Sequence, residues 1–302
     1  MTASLRTWCR LFDLTRRDLP FFDRAAFFFA RSGVAKDFVD FKRIKSSDFF
    51  TESLRQVIQK LQAPPLEQSR SLKPGGKTEK PQPLARRIDH TLLKPDATLD
   101  QILQLCDEAK THHFASVCVH PHWLPEVVRA LQGSSTLPIT VIGFPLGASQ
   151  TKAKAAETRW AVASGAREID VVINIGRLKS GHWKWVFDDL QQVTRSAGKV
   201  PVKVILETSL LSHEEKIAGA ILAELAGARY VKTSTGFSPG GATLEDIHLL
   251  RRVVAKKVRI KASGGIKTRE FAEKLIEAGA DRLGTSSGVA LVTSGLVLTG
   301  SY

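Results

Sequence analysis

From Ile88 onward, short apolar runs alternate with longer amphipathic stretches. The runs at residues 87–92, 116–120, 139–144, 168–174, 202–207, 230–233, 259–262 and 281–285 are rich in Val and Ile and too short for helices, so they predict β-strands. Between them, segments such as LDQILQLCDEAKTHH and TKAKAAETRWAVASG carry apolar residues at helical spacing and end in Gly, His or Lys. Eight strands alternating with helices over about 215 residues predict a (β/α)8 barrel at the small end of its range. A doubly wound open sheet would show a Gly-rich loop after its first strand. LLKPDAT follows instead, with no glycine.

Upstream the pattern is different. Phe49, Leu54, Val57, Ile58 and Leu61 are spaced for one amphipathic helix, with Ser47 as a candidate cap. QAPPLEQSRSLKPGGKTEKPQPLA then has the composition of a linker. The chain therefore divides into an extension with its linker, residues 1–83, partly disordered or helical, and a barrel, residues 84–302. The extension carries 16 Lys/Arg against 9 Asp/Glu, half of the chain's formal charge of +14. Its first dozen residues hold Arg6 and Arg10 and no acid, in the manner of an organelle transit peptide, but Asp13, Asp18 and Asp23 follow early. A transit segment, a basic arm for a partner or nucleic acid, and a flexible or weakly helical tail are the three readings.

The chain is 43% hydrophobic and 25% charged, an ordinary globular mixture. No run of about 18 apolar residues predicts a membrane span, since FFDRAAFFFARSG is broken by Asp23 and Arg24. Three cysteines, Cys9, Cys106 and Cys118, are odd in number and unsuited to a metal cage, which points to a reducing interior such as the cytoplasm.

Side chains alternate along a strand. Asp89 with Thr91, Asp170 with Val172 and Asn174, Lys203 with Ile205 and Glu207, Lys232 with Ser234, and Lys261 with Ser263 each share a face opposite Val, Ile or Leu. The apolar face belongs against the helices, so the charged face looks into the barrel. Buried ion pairs that only fix strand register are the bland alternative, but such pairs are seldom net stabilising.

Two lysines on adjacent strands suggest imine chemistry. A neutral amine attacks a carbonyl, while a lysine near its reference pKa of about 10.4 is protonated at neutral pH. Bringing it to about 7 takes roughly 4–5 kcal/mol against the ammonium form. A second positive charge about 5 Å away supplies around 3 kcal/mol at an effective dielectric near 20, and desolvation the rest. One lysine is then the nucleophile and the other keeps it neutral, with Asp170 as acid/base, commonly through a water. The loops ending the last two strands, KASGGIKT and RLGTSSG, sit where such barrels bind phosphate. Gly264, Gly265, Gly284, Ser286 and Ser287 offer N–H groups and hydroxyls there, and Gly236 joins from the sixth strand. His112, His113, His120 and His122 invite a zinc reading, but no acid is spaced to complete a site. Trp160, Trp183 and Trp185 read as packing anchors.

The segments IDHTLLKPDAT, SVCVHP, VIGFPLG, EIDVVINIG, VKVILET, YVKTSTGF, IKASGGIKT and RLGTSSG occur in one order across nearly the whole barrel. With them the chain resembles the deoxyribose-phosphate aldolases, class I aldolases of (β/α)8 fold. The resemblance implies reversible cleavage of 2-deoxy-D-ribose 5-phosphate to acetaldehyde and D-glyceraldehyde 3-phosphate, in deoxyribose phosphate catabolism, with no metal or organic cofactor. It makes Lys232 the Schiff-base lysine, Lys261 the tuning lysine and Asp170 the proton-relay acid. Asp89, Lys203 and Cys118 become pocket residues, and Gly236, Gly264, Gly265, Ser286 and Ser287 fall in phosphate-binding segments. Phe237 stands where some members carry a phosphate-binding lysine, with Lys267 the nearby candidate to compensate. Tyr302 matches a terminal tyrosine that reaches the active site in some members. The expected partner is a small phosphosugar, with no membrane or nucleic acid, a homodimer allowed, and a cytoplasmic location unless the extension directs the chain to an organelle. The alternatives are a class I aldolase for another aldehyde pair and a non-catalytic phosphosugar- or nucleic-acid-binding protein.

Overall fold

The computed structural model describes residues 83–293 and, upstream of them, Leu54, Arg55, Ile58 and Gln59. The expectations for Cys9, the amino-terminal dozen, the linker and Tyr302 lie outside these residues.

Eight parallel strands pair in chain order: β1 (Ile88–Leu92), β2 (Ser116–Val119), β3 (Leu137–Ile142), β4 (Glu168–Val172), β5 (Val202–Ile205), β6 (Tyr230–Lys232), β7 (Arg259–Ser263) and β8 (Arg282–Thr285). Pairing of His90 with Thr285 closes β8 on β1, so the barrel expectation holds. Most ends differ from the expected ones by a residue or two, because the carboxyl ends of the apolar runs leave the ladder and become the loops of the site.

The helices are α1 (Leu99–Thr111), α2 (Leu124–Ala130), α3 (Thr151–Ala163), α4 (Ile175–Lys179), α5 (Trp183–Ala197), α6 (His213–Ala226), α7 (Leu244–Val253), α8 (Arg269–Glu277) and α9 (Gly288–Val292). Their starts are written locally. Thr98 with Gln101 and Ser212 with Glu215 form reciprocal capping boxes on α1 and α6, and Thr243 and Thr268 cap α7 and α8. Among the described residues no helix is long and apolar enough to cross a membrane.

The strands separate two apolar clusters. Their outer faces, including Ile88, Val117, Val119, Ile169, Val171, Val204, Val231, Ile260 and Leu283, pack on the helices in one continuous core. A second cluster inside the barrel holds Leu93, Cys118, Ile139 and Val141, with Leu137 and Phe144 against it. Behind β4, Lys154 of α3 is fully buried. It lies 2.8 Å from Asp189 of α5 and donates to the Val172 carbonyl at 3.0 Å, so two helices hold the end of that strand.

Leu54, Arg55, Ile58 and Gln59 are helical. Leu54 and Ile58 are each 1% exposed and belong to the barrel's main core, while Arg55 lies 5.9 Å over the Trp183 ring at the start of α5. The division at residue 83, which we propose on composition, is therefore one of sequence character and not of packing. Leu54→Ala should destabilise the full chain by about 2–5 kcal/mol, the cost of emptying a buried leucine site. Urea unfolding measures it, and an unchanged midpoint would make the extension an ornament.

Candidate active site

Strand register places the charged side chains side by side. Lys232 and Lys261 are direct partners across β6 and β7, and Asp170 faces Lys203 across β4 and β5. Asp170 is at the centre. Its Oδ1 accepts from Lys203 Nζ at 2.9 Å. Its Oδ2 accepts from Lys232 Nζ at 2.9 Å and from Lys261 Nζ at 2.8 Å. The two lysine nitrogens share one oxygen, so they are at most 5.7 Å apart.

Two residues that the sequence reading passed over complete the arrangement. Arg282 of β8 contacts Asp89 through Nε at 2.9 Å and Glu168 through Nη1 and Nη2 at 3.4 and 3.3 Å. Lys203 also reaches Glu168 at 2.5 Å, and Lys261 reaches Asp89 at 2.5 Å. The Lys261–Asp89 contact is a charge contact without hydrogen-bond alignment, because that carboxylate oxygen makes no aligned bond. Ser116 of β2 donates to the other oxygen of Asp89 at 2.6 Å. Arg282, Asp89, Lys261, Asp170, Lys203 and Glu168 thus form a closed ring of alternating charge inside the barrel. Each cation of the ring touches two carboxylates. Lys232 stands outside it, with one carboxylate shared among three lysines.

The electrostatics follow from this geometry. Burial opposes the charge on Asp89, Asp170, Lys203, Lys261 and Arg282, and their opposite charges overcome it; at Lys232, outside the ring, they do not. Lys203 and Lys261 are held above the ordinary lysine value by their carboxylates, despite burial. Asp170 and Asp89 are held below the ordinary carboxylate value by the cations around them, again against burial. Lys232 is pushed down, chiefly by burial, with Lys261 adding to the effect and Asp170 opposing it. The expected like-charge effect is present, but desolvation leads it. The apolar wedge on β2 and β3 accounts for the dryness. Cys118 lies in that wedge, fully buried, its thiol pushed up to about 11 by burial, so it lines the cavity as an uncharged group.

The glycine-rich loops divide. Gly236, Gly264 and Gly265 adopt φ of 89°, 87° and 74°, the left-handed region that suits glycine. The loops after β6 and β7 touch backbone to backbone, because Ala242 N–H donates to the Gly264 carbonyl at 3.0 Å and a Cβ on Gly241 would lie 2.4 Å from that oxygen. Thr285 ties the next pair, donating to the Ile266 carbonyl and accepting from Ser287 N–H. The Ser287 amide is therefore engaged within the protein. Gly284 makes room for the lysine, because a Cβ there would lie 2.9 Å from Lys261 Cε. Ser286, Gly236, Gly265 and Lys267 are exposed at the rim. The Phe237 ring is half exposed and packs edge-on against Phe144 at 5.1 Å.

The histidines take ordinary places. His120 bonds the Leu93 carbonyl at 2.9 Å and stacks near His122, while His112 and His113 end α1. Among the described residues no group of three His, Cys, Asp or Glu is arranged to hold a metal ion. Trp183 is buried and anchors α5, whereas Trp160 is exposed.

Residues 84–296 match the family described as DeoC/LacD family aldolase. The chain belongs to this family. It is 56% identical over 214 residues, 71% of this chain, to 96% of a deoxyribose-phosphate aldolase of Brevibacillus brevis. A second relative of that name, from Desulfitobacterium hafniense, is 53% identical over 70% of this chain and 97% of its own. A solved chain from Coccidioides immitis overlays with a TM-score of 0.74 at 41% identity, covering 80% of this chain and 96% of that one. A tetrameric deoxyribose phosphate aldolase from Aeropyrum pernix overlays at 0.64 with 32% identity, over 70% and 90% of the two chains.

The ring generates a stability test. Lys203→Met should strip Glu168 and Asp170 of a shared cation and cost about 3–5 kcal/mol, the penalty for breaking a buried pair from one side. Since the folded-state pKa of Lys203 is raised, its contribution is fully present below the ordinary lysine value and fades only as pH rises through the folded one. Urea midpoints should therefore show a deficit that is constant across neutral pH and shrinks only in strong alkali.

Proposed function

We propose that the chain is a class I aldolase that reversibly cleaves 2-deoxy-D-ribose 5-phosphate to acetaldehyde and D-glyceraldehyde 3-phosphate through an imine on Lys232. The observation that carries this reading is the exclusion of Lys232 from an otherwise balanced ring. Counted as charged, the cluster has four cations against three carboxylates. With Lys232 neutral it has three against three. The one lysine that burial leaves undercompensated is the one poised as a nucleophile.

In the cleavage direction the neutral amine adds to the C1 aldehyde of the open-chain sugar. Loss of water gives a protonated imine, whose fixed positive charge keeps the place beside Asp170 that the ammonium held. Removal of the C3 hydroxyl proton lets the C2–C3 bonding pair flow into the imine. Glyceraldehyde 3-phosphate leaves and an enamine remains. Protonation of the enamine at C2 and addition of water release acetaldehyde and the free amine. The proton taken up when the protonated imine forms is released when it is hydrolysed, and the proton taken from the C3 hydroxyl is the one returned to C2, so the cycle balances.

Asp170 is the group placed to carry that proton, through a water. Three lysines hold its carboxyl well down. When Lys232 gives up its charge one of the three attractions disappears, and it returns with the positive charge of the imine. Lys261 and Lys203 keep their charges and fix Asp170 in place. Ser234, on the same strand face as Lys232, keeps a buried hydroxyl without a hydrogen-bond partner among the described residues, available to a sugar hydroxyl. The phosphate would lie on the rim, on the backbone of Gly236, Gly264 and Gly265 and the hydroxyls of Ser286 and Ser287. Phe237 and Phe144 then form an uncharged wall beside it, with no cation from that position. A homodimer, a cytoplasmic location and a place in deoxyribose phosphate catabolism complete the reading.

Borohydride reduction in the presence of acetaldehyde should leave a two-carbon adduct on Lys232, located by peptide mass mapping. An adduct elsewhere, or cleavage that stops in a chelator, would overturn the proposal. Two charge deletions should move the alkaline-rising limb of the rate in opposite directions. Lys261→Leu removes a cation that depresses Lys232, so its limb moves alkaline, with kcat down by about 100-fold or more. Asp170→Asn removes the anion that raises Lys232, so any residual limb moves acid, and kcat falls more than KM rises. Profiles of kcat/KM against pH check both signs.

A further inference from the structure

Glu207 lies two residues past the end of β5 and takes no part in the charged ring. It is 2% exposed and sits at φ 60°, ψ 64°, a left-handed conformation that a residue with a Cβ adopts only under constraint. The constraint is visible in what its carboxylate reaches. Glu207 accepts from the Thr235 hydroxyl and, at 3.3–3.4 Å, from the Thr235 backbone N–H, both on the loop after β6. The same Thr235 oxygen accepts from Phe237 N–H at 3.0 Å. A carboxylate offers only acceptors, so it fixes the direction of this relay: Phe237 N–H to Thr235 oxygen, Thr235 O–H to Glu207.

The consequence falls on Gly236. The amides before and after it, of Thr235 and Phe237, are both turned inward. Between them Gly236, at φ 89°, has an N–H that donates to no protein acceptor among the described residues. Glu207 therefore sorts three consecutive amides, engaging two and leaving the middle one for a ligand. Its influence also continues around the rim. Ser209, two residues on, abuts Gly240, where a Cβ would lie 3.1 Å from the serine Cβ, and Gly241 abuts the Gly264 carbonyl. Thr235, Gly241, Gly264 and Ser287 thus form one connected surface with Glu207 at its head.

We propose that Glu207 is a positioning residue for recognition of the substrate's phosphate, acting through Thr235 and the Gly236 amide and separable from the imine chemistry. This rests on the reading of the substrate as a 5-phosphate. It assigns Glu207 an effect on one end of the substrate only, because the carboxylate bonds the rim loop and makes no ion pair with Lys232 or Lys261 among the described residues.

The test compares 2-deoxyribose 5-phosphate with unphosphorylated 2-deoxyribose, and uses inorganic phosphate as a competitive inhibitor. In Glu207→Gln one of the two acceptor oxygens becomes an NH2 donor, so the side chain no longer fixes the direction of the relay for both Thr235 groups. KM for the phosphorylated sugar should rise about tenfold or more, and the inhibition constant of phosphate should weaken by the same factor. The value of kcat should stay within about threefold, and kcat/KM for unphosphorylated 2-deoxyribose within about twofold. Thr235→Val, which keeps the volume and removes the hydroxyl, should reproduce the effect, the double variant should be no worse than either single one, and Thr235→Ser should restore recognition. Equal losses on both sugars in Glu207→Gln and Thr235→Val would reduce Glu207 to a structural residue and overturn the inference, as would an unchanged phosphate constant. If the wild-type protein itself treats the two sugars alike, the 5-phosphate reading fails first, and the inference with it.

Discussion

The structure turns on a closed ring of charge in a place where barrels ordinarily put branched apolar side chains. Three cations and three carboxylates alternate, each touching two of the opposite sign, with the barrel wall excluding water around them. Burying six charges is tolerable only because none is left single. That condition makes the ring stiff, since no member can turn away without stranding two others. It also defines what stands outside. Lys232 reaches into the same space but finds its one carboxylate already held by two other lysines. The depressed affinity of this amine for a proton is the residue left by a balanced neighbourhood, and it persists as long as the balance does.

The apolar wedge of Leu93, Cys118, Ile139 and Val141 supplies the other half of the cause. If those positions were polar, water or hydroxyls could solvate the ammonium of Lys232 and the neighbouring Lys261 charge would act through a higher dielectric. Asp170, the nearer charge, would then favour the ammonium. The apolar side of the barrel thus decides the sign of the shift, and the charged side decides which lysine receives it. The two halves come from different strands, β1 to β3 for the wedge and mainly β4 to β8 for the ring. Closing the barrel is what brings them face to face.

Much of this was legible before the coordinates. Alternation along each strand is local, so the inward faces of Asp89, Asp170, Lys203, Lys232 and Lys261 could be read directly, and register then placed Lys232 opposite Lys261. What alternation cannot give is the partner across the barrel. Arg282 lies 193 positions from Asp89 and 114 from Glu168, and nothing local distinguishes it from a solvated arginine entering a strand. Glu168 shares a face with Asp170 and was readable on the same rule, but its worth depends on Arg282. That Gly284 leaves room for Lys261 is likewise a matter of the neighbouring strand, and only the closeness of that side chain shows it. Leu54 and Ile58 were read as one face of a helix, with nothing in the linker after them to say that the face closes on the barrel.

The balance in the ring also gives a reason for Phe237. A lysine there would attract phosphate, but it would add a cation to a site whose charges already exceed its carboxylates when Lys232 is protonated. Amides carry no net charge. A cradle of Gly236, Gly264 and Gly265 can hold an anion at the rim while changing the field at Lys232 little, provided the loops present the right N–H groups and hold them still. The backbone contacts joining the loops after β6, β7 and β8 meet that need. Anion recognition by geometry in place of charge moves the demand from a flexible side chain to the supports of a loop. A carboxylate such as Glu207, held in a conformation its own backbone resists, can then matter to the substrate without approaching the reacting carbons.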